Sequence, residues 1–85
     1  LGLANRVVRP DNLITEAEDW ARELAEKATL AIALTKQSFH YACDNDLMKT
    51  FDMEAKLQKV AIGSDDHKAG IEAFRTRTTP VFKGQ

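Results

Sequence analysis

Only one cysteine occurs in the 85 residues, so no internal disulfide can form. Cys43 has no electropositive cluster beside it in sequence, which makes a reducing compartment, and hence the cytoplasm, the expected home. Two prolines and four glycines are too few for a fibrous repeat or a disordered linker. No apolar run approaches the roughly 18–20 residues of a membrane helix, so no membrane partner is expected. The opening LGLANRVVRP lacks the charged start and long apolar stretch of a signal peptide. It also lacks a methionine, and its apolar character suggests a protein that begins well upstream. Neither sign of charge predominates. Twelve basic and 13 acidic residues are interspersed, giving a net charge of -1 and no basic block for a nucleic-acid backbone to neutralise.

What is present is apolar periodicity. With 44% hydrophobic and 29% charged residues the composition is globular, and the length leaves no room for a second full domain. The fold class expected is mainly α: a short amino-terminal strand or extended piece followed by about four helices. Val7 and Val8 favour extended backbone, and Pro10 pushes Arg9 out of the helical region. Leu13, Ala17, Trp20, Ala21, Leu24 and Ala28 then recur at helical spacing, with Trp20 read as a core anchor. The start of this helix falls within residues 11 to 15, marked by Asp11 as cap or by a capping box spelled from Thr15 to Glu18. A second helix is expected from about Thr29, as cap, to about Ala42. It is apolar almost all round at Leu30 to Leu34, so it requires burial or a partner. Asp46 caps a third helix that Gly63 ends in a left-handed conformation. Ser64 caps a fourth, on which His67, Gly70, Ile71 and Phe74 share a face. Pro80 closes the helical part, and Val81 to Gln85 read as a tail.

Chemistry-bearing clusters are sparse. His40 and Cys43 share a helix face, but two ligands are not a metal site, and packing is the better account. Asp65, Asp66 and His67 could be imagined as an acid/base or metal cluster. Acids in a first turn are expected from the helix dipole alone. Glu16, Glu18, Asp19, Glu23 and Glu26 read as a solvated face. No serine lies in a nucleophile elbow, and no glycine-rich loop could cradle phosphate. Arg75, Arg77 and Lys83 flank Phe74 and could grip an anionic ligand beside an aromatic ring, although such a cluster alone is more often a solvated tail. No catalytic residue and no metal site is assigned.

The order of features is more specific than any one of them. Gly2-Leu3-Ala4-Asn5-Arg6-Val7-Val8 before Pro10 resembles the "GLVN-x-VVP" strand exit of the enoyl-CoA hydratase/isomerase (crotonase) family. Ala31-x-Ala33-Leu34-x-Lys36, Glu54 and Ser64-Asp65-Asp66 with Gly70-Ile71-x-Ala73-Phe74 continue the likeness. Arg77-Thr78-Thr79-Pro80-Val81-Phe82 closes it, near "K-R-x-P-x-F". Ala69 stands where the family has glutamate, and Thr76 and Thr78 replace the neighbours in "E-K-R". The resemblance implies a ββα spiral ending at residues 1–10 and a helical oligomerisation domain over 11–85, packing subunits into a homotrimer or hexamer. It implies an acyl-CoA substrate in fatty-acid or related metabolism and no separate cofactor, coenzyme A being part of the substrate. Catalysis in the family stabilises a thioester enolate with two backbone N–H groups. Those donors and the proton-moving carboxylates lie upstream of residue 1. Only Phe74 and Arg77 carry over, as positions reaching toward coenzyme A bound in a neighbouring subunit. Arginine keeps the charge and adds a planar fork suited to phosphate.

A rival reading is a free-standing helical interaction module whose apolar groove receives a partner helix. A reading frame that starts near Leu1 would favour it, and one extending well over a hundred residues upstream would favour the enzyme.

Overall fold

A computed structural model describes residues 1–85. Residues before Pro10 form no strand, bending at Leu3 and Asn5 before Arg9 enters the first turn in extended backbone, because a strand needs a ladder partner and the chain supplies none. This piece is held instead by Arg6. Its guanidinium lies 4.4 Å from the Trp20 ring centroid and reaches Glu23 at 3.6 Å and Glu16 at 4.0 Å. Trp20 is therefore half-buried under Arg6 and anchors no core.

Helix α1 (Leu13–Ala25) grows out of a single 3-10 turn, Pro10–Asn12. Neither Asp11 nor the Thr15 capping box caps it. Asn12 already has helical dihedrals, and the Asn12 and Leu13 N–H groups donate to the carbonyls of Arg9 and Pro10. The turn thus satisfies donors that a side chain would otherwise have to meet.

Helix α2 (Thr29–Asp44) starts with Thr29 as its first residue rather than its cap, Ala28 preceding it without a side-chain bond. It runs two residues past Ala42 because Asn45 Nδ2 donates to the Tyr41 carbonyl at 2.9 Å and satisfies the helix end. The Asn45–Asp46 turn reverses the chain into α3 (Leu47–Gly63), so α2 and α3 form an antiparallel hairpin. Ser38 Oγ donates across it to Glu54 at 3.3 Å. Asp46 caps α3, accepting from the Lys49 N–H at 2.9 Å, and that bond holds its carboxyl below the ordinary carboxylate value.

Gly63 does not adopt a left-handed conformation, since the turn after it is made by Ser64 in extended backbone. The Ser64 hydroxyl donates to the Ala61 carbonyl at 2.7 Å and accepts from the His67 N–H at 3.0 Å. One side chain therefore closes α3 and opens α4 (Asp65–Thr76). Ser64→Ala removes both bonds. It is expected to destabilise the α3–α4 corner by about 1–2 kcal/mol, read as a lower urea midpoint for helix loss.

The helices do not close into a bundle. Helix α3 packs on α2 and on α4, while α1 keeps mainly to its own 3-10 turn. The result is a slab of 44 × 40 × 19 Å with a radius of gyration of 16.3 Å, where a compact chain of this length would have about 12 Å. Exposed surface is 7356 Å² against about 5,000 Å² expected for a folded chain of this mass. Only Thr50, Asp66 and Ala73 are buried. Helix α2, apolar almost all round at Leu30 to Leu34, contributes no buried residue, with Ile32 and Phe39 both exposed.

Candidate functional site

The last turn of α4 carries the two residues singled out by sequence. Phe74 is 89% exposed. Arg77 follows at the helix end with φ 56 and ψ 41, the only non-glycine residue with positive φ. The Thr78 N–H donates to the Ala73 carbonyl at 2.9 Å and the Arg77 N–H to the Phe74 carbonyl at 3.4 Å. This paired cap uses a left-handed residue that is usually glycine. Arginine there accepts the steric cost of a Cβ at positive φ.

The basic cluster is not brought together. Arg75 is held by Glu72 through Nε at 3.1 Å and Nη2 at 3.0 Å. Lys83 lies by Asp65, at the opposite end of a 12-residue helix and about 18 Å from Arg77. Arg77 makes no ion pair, so it is the one unpaired charged side chain at this end of α4. Its fork can meet a phosphate by two parallel bonds, and the exposed Phe74 ring, three residues earlier, offers a flat apolar face.

The other clusters separate likewise. Asp65 pairs with Lys68 at 2.7 Å, which holds its carboxyl below the ordinary value, and the His67 N–H serves the Ser64 cap. Cys43 donates to the Phe39 carbonyl, and no group of three metal-binding side chains exists. No helix is long and apolar enough to cross a membrane.

Asp66 has a task that first-turn acidity did not announce. Its carboxylate, 4% exposed, accepts from the Lys83 N–H at 2.7 Å and the Gly84 N–H at 2.9 Å, and its own N–H donates to the Gln85 carbonyl at 2.9 Å. The segment Val81–Gln85 is therefore no free tail. It returns along α4 as a strap, seats Phe82 against Gly70 at the closest approach a Cβ there would make (3.7 Å), and ends over Thr29. Gly84 sits in the strap with φ +76, a conformation that favours glycine. A groove of about 380 Å³ opens where α2, α3 and α4 meet the strap, with Ala31, Ala61, Ile71, Phe74 and Phe82 in its walls and His67 at its polar edge.

Comparison with known proteins agrees with this architecture. The family model for enoyl-CoA hydratase/isomerase matches residues 1–85. The chain is 37% identical over 75 residues to a short-chain-enoyl-CoA hydratase of Clostridioides difficile, covering 88% of this chain and 48% of that protein. It is 33% identical over 84 residues to a 1,2-epoxyphenylacetyl-CoA isomerase of Escherichia coli K12, covering 99% of this chain and 32% of the relative. The chain thus spans about a third to a half of these relatives. Among solved structures, enoyl-CoA hydratase subunit I of Geobacillus kaustophilus HTA426 superposes with a TM-score of 0.90 at 36% identity, over 99% of this chain and 33% of that one. Enoyl-CoA hydratase of Bacillus anthracis does so with a TM-score of 0.85 at 28% identity, over 99% and 33%. The four helices in this order are a piece of the crotonase fold, and the chain belongs to the enoyl-CoA hydratase/isomerase family.

Proposed function

We infer that this chain is the carboxy-terminal helical part of a cytoplasmic enzyme that hydrates or isomerises enoyl-CoA thioesters in fatty-acid or related acyl-CoA metabolism. Residues 1–10 end its ββα spiral, and residues 11–85 pack subunits into a homotrimer or hexamer. Phe74 and Arg77 form one wall of the coenzyme A site of a neighbouring subunit. The observation that carries this reading is the pairing of an exposed ring with an unpaired guanidinium on the last turn of α4. Coenzyme A presents what these groups bind: an anionic phosphate for the fork and a flat heterocycle for the ring. The chain supplies packing and this edge, and no proton-transfer group is assigned to it.

In the enzyme that carries this chain, Arg77→Ala is expected to weaken coenzyme A binding about tenfold by calorimetry, the worth of one charge-assisted pair. Unchanged affinity would remove Arg77 from the site.

A further inference from the structure

We propose that Asp66 is a positioning residue for Arg77, acting along the strap from the opposite end of α4. The strap is fixed twice. At its start the Thr78 N–H is bound to the Ala73 carbonyl, and the Thr76 and Thr78 hydroxyls pair at 2.9 Å. At its end the buried Asp66 carboxylate takes the Lys83 and Gly84 N–H groups. Between these points the chain must run antiparallel to α4, and the reversal that sends it back is made at Arg77. An L-residue holds positive φ only with support, and the two bonds of the cap supply part of it. Arg77 keeps it because leaving that well would carry the strap away from Asp66 and pull Phe82 off Gly70. Asp66 thus fixes the direction in which the guanidinium leaves the helix without approaching the ligand itself. This inference deepens the coenzyme A reading of the Phe74/Arg77 edge and rests on it for its functional consequence.

The conformational part is tested by NMR in the enzyme that carries the chain, with its arginines selectively labelled. A residue with positive φ shows a strong cross-peak between its own amide and α protons. That peak is expected for Arg77 in the parent protein and in Asp65→Asn, whose carboxylate makes its hydrogen bond to Lys68 and none to the strap backbone. It is expected to fall toward the average of a mobile segment in Asp66→Asn. A second variant guards against misfolding of α4: Gly84→Ala leaves the residues of α4 unchanged and strains the strap, where a Cβ would stand 2.7 Å from Thr29 Oγ1 at φ +76, and it should weaken the Arg77 peak equally. An undiminished Arg77 peak in both variants, with the Lys83 and Gly84 amides exchanging freely, would overturn the proposal.

The functional part is read in the enzyme that carries the chain, with coenzyme A as probe. Asp66→Asn should weaken binding about fivefold, as expected when the competent conformer is no longer the dominant one. In an Arg77→Gly background it should have no further effect, whereas a purely structural loss would add in both backgrounds. If Arg77→Gly leaves affinity unchanged, the coenzyme A reading falls, and the Arg77 cross-peak still decides whether Asp66 sets the reversal.

Discussion

Replacing Asp66 with alanine is expected to free the strap from α4, with exchange of the Lys83 and Gly84 amides accelerating about a hundredfold. The reasoning is a count of what the carboxylate holds. Two backbone N–H groups donate to it at 2.7 and 2.9 Å in a place where the acid is almost wholly covered. Bonds to an ionised acceptor contribute about 1.5–3 kcal/mol each, and two that share one acceptor do not add fully. A local opening about 3 kcal/mol easier corresponds to that hundredfold. Asparagine is no substitute, because its single carbonyl can serve one N–H while its amide presents a donor to the other. The damage should stay local: the Ser64 hydroxyl still caps α4, so helix content by circular dichroism should barely fall. Lys83 and Gly84 exchange that matches the parent chain would show that the strap is held by other contacts.

The parts of this fold that were legible in sequence are those whose partners lie three or four residues away. Asp46 and Ser64 read as caps and are caps, because an acceptor next to the first-turn N–H groups meets them whatever surrounds the helix. The four helices and their order follow from spacing for the same reason. Legibility fails where the partner is distant or the backbone does the work. The Asp11 and Thr15 alternatives for α1 lost to a 3-10 turn whose carbonyls needed no side chain. The left-handed residue expected at Gly63 is at Arg77, because Ser64 makes the α3–α4 corner in extended backbone while only the strap demands a reversal. In the candidate site, Phe74 and Arg77 were singled out by the family resemblance, and the spacing alone put Phe74 on a face with His67, Gly70 and Ile71. Lys83 seemed to belong with them by proximity in sequence, and the fold-back carries it to the other end of the helix. The Asp66 clasp was invisible because its donors are main-chain groups 17 and 18 residues on, which leave no pattern of side chains to read.

At high concentration the purified chain is expected to have a mass above that of the monomer, and the hairpin of α2 and α3 is where it should meet its copies. A slab this thin cannot hide its apolar residues from both faces at once, which is why Phe39 remains 72% exposed, Leu47 65%, Met48 70% and Phe51 52%. The surface in excess of a compact chain is about 2,300 Å², more than the roughly 1,600 Å² that a standard interface buries in total. Area alone does not set affinity, but exposed aromatic and methionine side chains are those that anchor interfaces, and burying each is worth about 1.5–3 kcal/mol. Placing charges at two of them, as in Phe39→Glu with Met48→Glu, should therefore weaken association at least about a hundredfold, since a buried unpaired carboxylate costs more than the lost contact. Sedimentation equilibrium of the parent chain and the double variant separates the outcomes. A strictly monomeric parent would mean that this surface needs a different covering, and association unchanged in the variant would move the contact off the hairpin to the exposed face of α1, where Leu13, Ile14 and Leu24 offer the next apolar patch.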